Sequence, residues 1–383
     1  MGGDEGGVLE LACQKPVIGL FVVDRLSDYS IKRIEMGVTI LLLIAGLVLV
    51  LLGANYLVDG ASTIAKRFGL SDMIIGMTIV AIGTSAPEMV VSFIGAAQGS
   101  ADIAVGNIVG SNICNILLIL GVSSVIRPLK VTTDNLAKDI PFLILSTAAL
   151  VAMAFDAQIN NGAFITEFTN NHINRTDGII LLLFFAVFLF YSFFSAKSGA
   201  TALQLEQAAQ ESVEEQKEQE SKKKHKFNLL GICKTSILLS VIGVLGGLAM
   251  LIYGGDLFVS NAKQVASALG VSDVVIAATV VAIGTSLPEL ATSIVAAAKN
   301  NLGLALGNVV GSNIFNIFLI LGGSAVITPL SLSNLHFNHF VVLALSSLLL
   351  LFFCSTKKKL QRVEGAIFLL IYITYVVNMI NNG

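Results

Sequence analysis

The chain has 383 residues, 55% of them hydrophobic and 13% charged, with a net charge of −2 and a mean hydropathy of +0.84. So little polar surface cannot cover a water-soluble globule of this size; the composition points to an integral membrane protein and excludes a soluble enzyme or a basic nucleic-acid binder. Cys13, Cys114, Cys233 and Cys354 lie far apart, a spacing that supports neither a disulfide framework nor a zinc site.

Residues 1–35 hold Lys15, Arg25, Lys32 and Arg33, and their longest apolar run, 16–23, is too short to span a bilayer. Asp4 and Glu5 stand where a signal peptide would be basic. Met36 directly precedes the first long apolar segment, so this extension reads either as an upstream start or as an amphipathic tail. From there ten segments suit membrane crossing: 37–58, 72–97, 103–126, 139–155, 178–195, 235–260, 273–298, 304–327, 340–354 and 364–379. Between the fifth and sixth lies a linker rich in Gln, Glu and Lys, residues 196–234, which reads as a polar helical or disordered connector. The cluster Lys222–Lys226 within it reads as a topology determinant in a solvated loop.

Residues 55–129 align without a gap to 256–330 at a constant offset of 201 residues. Val80-Ala81-Ile82-Gly83-Thr84-Ser85 recurs as Val281-Ala282-Ile283-Gly284-Thr285-Ser286. Five helices per copy is an odd number, so the two copies must face opposite ways. Loop charges test this: one set of loops holds Lys66, Arg67, Arg127, Lys130, Lys138, Lys197, Lys299 and Lys357–Lys359, the other only Arg175 and Lys263. That asymmetry places both termini outside the cell membrane and the linker in the cytoplasm. The expected fold is an all-α integral membrane protein: ten transmembrane helices as two inverted five-helix repeats, residues 36–195 and 235–383.

Each copy carries Gly-Thr-Ser-x-Pro-Glu in mid-segment. A carboxylate at the depth of Glu88 or Glu289 is costly unless it meets a cation, a proton or a polar cavity. Pro87 and Pro288 disrupt the bonds to the carbonyls four residues earlier, Gly83 and Gly284, so carbonyls of 81–83 and 282–284 become candidate ligands. With the hydroxyls of Thr84, Ser85, Thr285 and Ser286 they offer an all-oxygen site suited to a hard cation such as Ca²⁺ or Na⁺. On the next helix Ser111 and Asn115, and Ser312 and Asn316, share a face and can complete it. Asn107, Asn112, Asn308 and Asn313 read as caps or bridges, and Asp72 and Asp273, which follow Ser, as helix N-caps. His172, His225, His336 and His339 fall in loops or near helix ends.

Both motifs, with their Gly-Asn-x-Val-Gly-Ser-Asn-Ile-x-Asn continuations, resemble the α-repeats of the sodium/calcium exchanger family, and the chain from Met36 onward is similar to a prokaryotic member. The resemblance implies a central diamond of Glu88, Asn115, Glu289 and Asn316. It adds Thr84, Ser85, Ser111, Thr285, Ser286 and Ser312, with the carbonyls of Ala81 and Ala282, as ligands to Na⁺ or Ca²⁺. It also implies that the first and sixth helices slide against the core. Ala86 and Met89 depart from the commoner Leu-Pro-Glu-Leu pattern, and Asn316 stands where potassium-dependent relatives have Asp.

The expected activity is secondary antiport, with Ca²⁺ leaving the cytoplasm as Na⁺ enters. Two carboxylates balance one Ca²⁺ or are shared by several Na⁺, so one site alternates between the ions. Ca²⁺/H⁺ exchange is the alternative, and a cation channel is a third reading that broken helices at the midplane disfavour. No cofactor, nucleic acid or obligate protein partner is expected, and the chain is read as a carrier in a lipid bilayer rather than an enzyme.

Overall fold

The computed structural model describes residues 17–133, 135–156, 171–214, 237–269, 282–332 and 335–382. Residues 17–35 hold no proline and only Gly19, and their backbone continues α1 (Val17–Phe68) upstream of Met36 without a break. Ser71 then caps α2 (Asp72–Thr84), accepting the Ile74 N–H at 3.2 Å. The cap is therefore Ser71 rather than Asp72, which sits in the first turn where its charge suits the helix dipole. Asp273 lies outside the described residues.

The chain bends by 49° between α2 and α3 (Ala86–Ala97). Beyond them run α4 (Ala101–Ile113), α5 (Leu120–Ile126), α6 (Ile140–Ala154), α7 (Arg175–Glu214) and α8 (Ile237–Ala268). Of the expected segment 273–298, residues 273–281 are outside the described residues, and α9 (Ala282–Thr285) and α10 (Leu287–Ala298) are its remainder. The chain ends with α11 (Leu302–Phe315), α12 (Gly322–Ile327), α13 (Phe337–Lys357) and α14 (Arg362–Asn382). Among the described residues eight helices are long and apolar enough to cross a membrane, nine with the bent pair α2–α3. Leu41, Phe193, Leu245, Leu348 and Leu370 stay exposed on α1, α7, α8, α13 and α14, an apolar exterior that suits lipid and not water. The chain is an all-helical membrane protein, with two miniature ladders among the described residues.

Those ladders were not expected. β1 (Leu129–Lys130) pairs antiparallel with β4 (Lys359–Leu360), and β2 (His172–Ile173) with β3 (Leu330–Ser331). Each joins two interhelical loops, and paired loops must lie on one side of the bilayer. Loop 127–138 thereby shares a side with loop 357–362, and loop 171–175 with loop 328–332.

The centre belongs to two spans. Ile103–Ile126 is 72% buried and Leu302–Ile327 94% buried, whereas the other six single-helix spans are between 17% and 33% buried. Both central spans widen to π-helical turns, Cys114–Ile119 and Asn316–Leu321, which carry Asn115 and Asn316.

Against this centre α1 and α8 run antiparallel in backbone contact. A Cβ at Gly46 would lie 2.8 Å from the Gly254 carbonyl, and one at Gly53 2.7 Å from that of Gly247. Only glycine lets the two backbones approach so closely. Gly46 and Gly247, and Gly53 and Gly254, are 201 positions apart, so the two contacts are one contact seen from each half. At one end of α1 Lys299 Nζ, in the α10–α11 turn, lies 2.8 Å from Asp59 Oδ1 and donates to the Asn55 carbonyl at 3.3 Å. Asn301 Nδ2 donates to Ser62 Oγ at 2.6 Å beside it.

Candidate functional site

The helix breaks fall at Ser85 and Ser286, whose φ and ψ (−81°, 8° and −84°, 7°) leave the helical region. Pro87 and Pro288 sit in the first turns of α3 and α10, where a backbone N–H has no intrahelical acceptor to lose. Each new helix then presents its carboxylate, Glu88 or Glu289, in its first turn beside the positive end of the dipole. Because α2 completes its last turn before the break, the Ala81 carbonyl is not freed. It accepts the Ser85 N–H at 3.0 Å, and Thr84 Oγ1 lies 3.4 Å away. Ala282 opens α9, at the corresponding place in the second copy.

Glu88 and Glu289 are each 1% exposed and close enough to interact electrostatically. Each is held by the serine of the other copy: Ser286 Oγ donates to Glu88 Oε1 at 3.3 Å, and Ser85 Oγ to Glu289 Oε1 at 2.9 Å. The Thr285 hydroxyl lies within interaction range of Glu88, and those of Thr84 and Ser312 within range of Glu289. Neither Thr285 nor Ser312 reaches hydrogen-bonding geometry there. Thr84 Oγ1 instead donates to Asn308 Oδ1 at 3.1 Å.

The asparagines divide into two roles. Asn115 Nδ2 donates to Asn313 Oδ1 at 3.0 Å, and Asn316 Nδ2 to Asn112 Oδ1 at 2.9 Å. The donor ends of Asn115 and Asn316 are thus tied back, while Asn112 and Asn313 bridge the copies, as their sequence positions suggest. Asn107 and Asn308 hold the broken helices from behind, donating to the main-chain carbonyls of Glu88 and Glu289 at 3.3 and 3.4 Å.

Six buried oxygens of the expected site have no hydrogen-bond partner among the described residues: Glu88 Oε2, Glu289 Oε2, Asn115 Oδ1, Asn316 Oδ1, Thr285 Oγ1 and Ser312 Oγ. Buried polar atoms are almost always paired, so such a set calls for a ligand. All are oxygens and two belong to carboxylates, the donor set of a hard cation. Ser111 is buried nearby, 3% exposed. The hydroxyls of Ser123, Ser192, Thr292 and Ser324 and Asn313 Nδ2 are also buried without a partner among the described residues. Of these, Thr292 lies one turn beyond Glu289 on α10. His339 lies apart, its Nδ1 2.8 Å from the Tyr375 hydroxyl.

The family model described as sodium/calcium exchanger protein matches residues 38–194 and 239–381. The chain is similar to sodium/calcium exchanger MaX1 of Methanosarcina acetivorans, 38% identical over 351 residues that cover 89% of this chain and 98% of the relative. It is also similar to putative antiporter CaxA of Alkalimonas amylolytica, 36% identical with the same coverage of both chains. Among solved structures, one of the sodium-calcium exchanger NCX_Mj aligns with a TM-score of 0.69 at 32% identity, covering 89% of this chain and 99% of that one. With both halves matched and relatives alike over nearly their whole length, the chain belongs to the sodium/calcium exchanger protein family.

Proposed function

We propose that this chain is a secondary antiporter that moves Ca²⁺ out of the cytoplasm in exchange for entering Na⁺, by alternating access to one site. The observation that carries the reading is the set of six partnerless oxygens around Glu88 and Glu289. Two carboxylates match the charge of one Ca²⁺, and two or more Na⁺ can share them, so either cargo leaves little uncompensated charge in a dry interior. Thr84, Ser85, Ser111, Ser286, the Ala282 carbonyl and the Ala81 carbonyl, through the lone pair that the Ser85 N–H does not use, complete the ligand set. The names of the relatives, a sodium/calcium exchanger and an antiporter, support the same cargo.

The transport unit is ten spans in two inverted repeats, residues 36–195 and 235–383, with termini outside and the 196–234 linker in the cytoplasm. Three features support the inversion: the antiparallel α1–α8 pair, the exchanged Ser–Glu bonds, and ladders that join loops of like charge assignment. Everted membrane vesicles loaded with radiolabelled Ca²⁺ test the function. Flux driven by a Na⁺ gradient is expected; flux driven only by a pH gradient would replace Na⁺ with H⁺, and flux needing neither would indicate a channel.

A further inference from the structure

A crevice of ≈ 360 Å³ opens between α3, α8 and the α9–α10 junction, lined by Pro87, Val91, Asp256, Thr285 and Pro288 among others. Pro87 and Pro288 belong to the two helix breaks, so Asp256 shares a crevice with the edge of the carboxylate site from a helix outside it. Its side chain is exposed and has no hydrogen-bond or ionic partner among the described residues. A carboxylate within a membrane span is costly in hydrocarbon and tolerated in water, which suits a crevice open to water.

The other half has no such group. The counterpart of Asp256 at the 201-residue offset is Asn55, whose amide donates to the Leu51 carbonyl at 2.8 Å. There α1 lies along α10, and the approach is clasped by Lys299 on Asp59 and by Asn301 on Ser62. The counterparts of Lys299 and Asp59 are Gln98 and Ser260, which cannot form an ion pair. One half therefore carries a salt bridge between α1 and the α10–α11 turn, and the other a crevice with an unpaired carboxylate on its wall.

We infer that Asp256 is an outer cation-binding residue, which draws Ca²⁺ or Na⁺ into the crevice and passes it to the unpartnered Thr285 Oγ1 at the edge of the central site. A single carboxylate with water as its other ligands holds a cation weakly, which suits an entry station rather than a trap. The inference rests on the proposed exchange at the central site. Under the inverted arrangement the clasp lies on the cytoplasmic side, so this entry faces outside.

The test uses the full chain in two measurements. In liposomes, Ca²⁺ transport is measured from each face for the parent, Asp256→Asn and Asp256→Glu. Asparagine is the residue the other half holds at this position. The half-saturating Ca²⁺ concentration at the outer face should rise about fivefold or more in Asp256→Asn, stay constant at the inner face, and return with Asp256→Glu. In detergent, the Glu88→Gln/Glu289→Gln double variant should still bind Ca²⁺ with an affinity on the order of millimolar, and adding Asp256→Asn should abolish that binding. Asp256-dependent binding in the double variant, together with no Na⁺-driven Ca²⁺ transport by the parent chain, would sink the exchange reading alone. Unchanged binding, or a half-saturation that is unchanged or shifted equally at both faces, would overturn the role of Asp256.

Discussion

Ser85 Oγ donates to Glu289 Oε1 at 2.9 Å, and the reciprocal bond, from Ser286 to Glu88, measures 3.3 Å. Each carboxylate is thus oriented by the motif it does not belong to, and one oxygen of each is occupied while the other is left for cargo. Ser85→Ala should weaken Ca²⁺ binding more than Ser286→Ala, because the shorter bond to a charged acceptor is worth ~1.5–3 kcal/mol. Half-saturating Ca²⁺ for the two variants is the check, and equal values would mean that the difference in bond length has no energetic weight.

Glu88→Gln and Glu289→Gln preserve volume and one acceptor but delete the charge. Each should abolish Ca²⁺ transport while the protein still elutes as a monodisperse species. Normal flux in either variant would show that glutamate to be structural.

Gly247 and Gly246 are neighbours with opposite surroundings. A Cβ at Gly247 would meet the Gly53 carbonyl at 2.7 Å, whereas one at Gly246 would meet nothing within 4 Å. Gly247→Ala should destabilise the protein by ~1–3 kcal/mol, and Gly246→Ala should be neutral or slightly stabilising, since alanine favours helix by ~1 kcal/mol. Thermal unfolding in detergent separates the two; similar midpoints would mean that α1 and α8 part easily.

Asn316 is neutral and leaves nothing for an additional K⁺ to balance, so transport should be indifferent to K⁺. In Asn316→Asp the donor to Asn112 Oδ1 is lost and a third buried carboxylate is created. That charge is most cheaply relieved by a proton or another cation, so flux should become more pH-sensitive or responsive to K⁺. Sodium-driven flux with choline replacing K⁺ on both sides is the check; a strict K⁺ requirement in the parent would remove residue 316 from ion coupling.

Much of the site was legible because its chemistry conflicts with its setting. Glu88 and Glu289 stand out in apolar segments, and a proline two residues after a serine marks where each helix breaks. The Ser85–Glu289 exchange was not legible, because it exists only once the two motifs face each other. The wide turns at Asn115 and Asn316 were not legible either, because hydrophobic periodicity does not separate a π-helical turn from an α-helical one. Asp256 reads as one charge in an apolar span, and proline's effect, which falls on the Gly83 carbonyl, does not extend to Ala81, whose carbonyl keeps the Ser85 N–H.

Contacts between the halves recur in reciprocal pairs: Gly46 with Gly254 and Gly53 with Gly247, Asn115 with Asn313 and Asn316 with Asn112. This is the isologous pattern of a two-fold symmetric dimer, in which one surface complements itself. A single half therefore carries the information for its own partner, with α7 (Arg175–Glu214) ending one half and α8 (Ile237–Ala268) opening the other. Two polypeptides, cut between α7 and α8 and made together in one cell, should reassemble into a working exchanger.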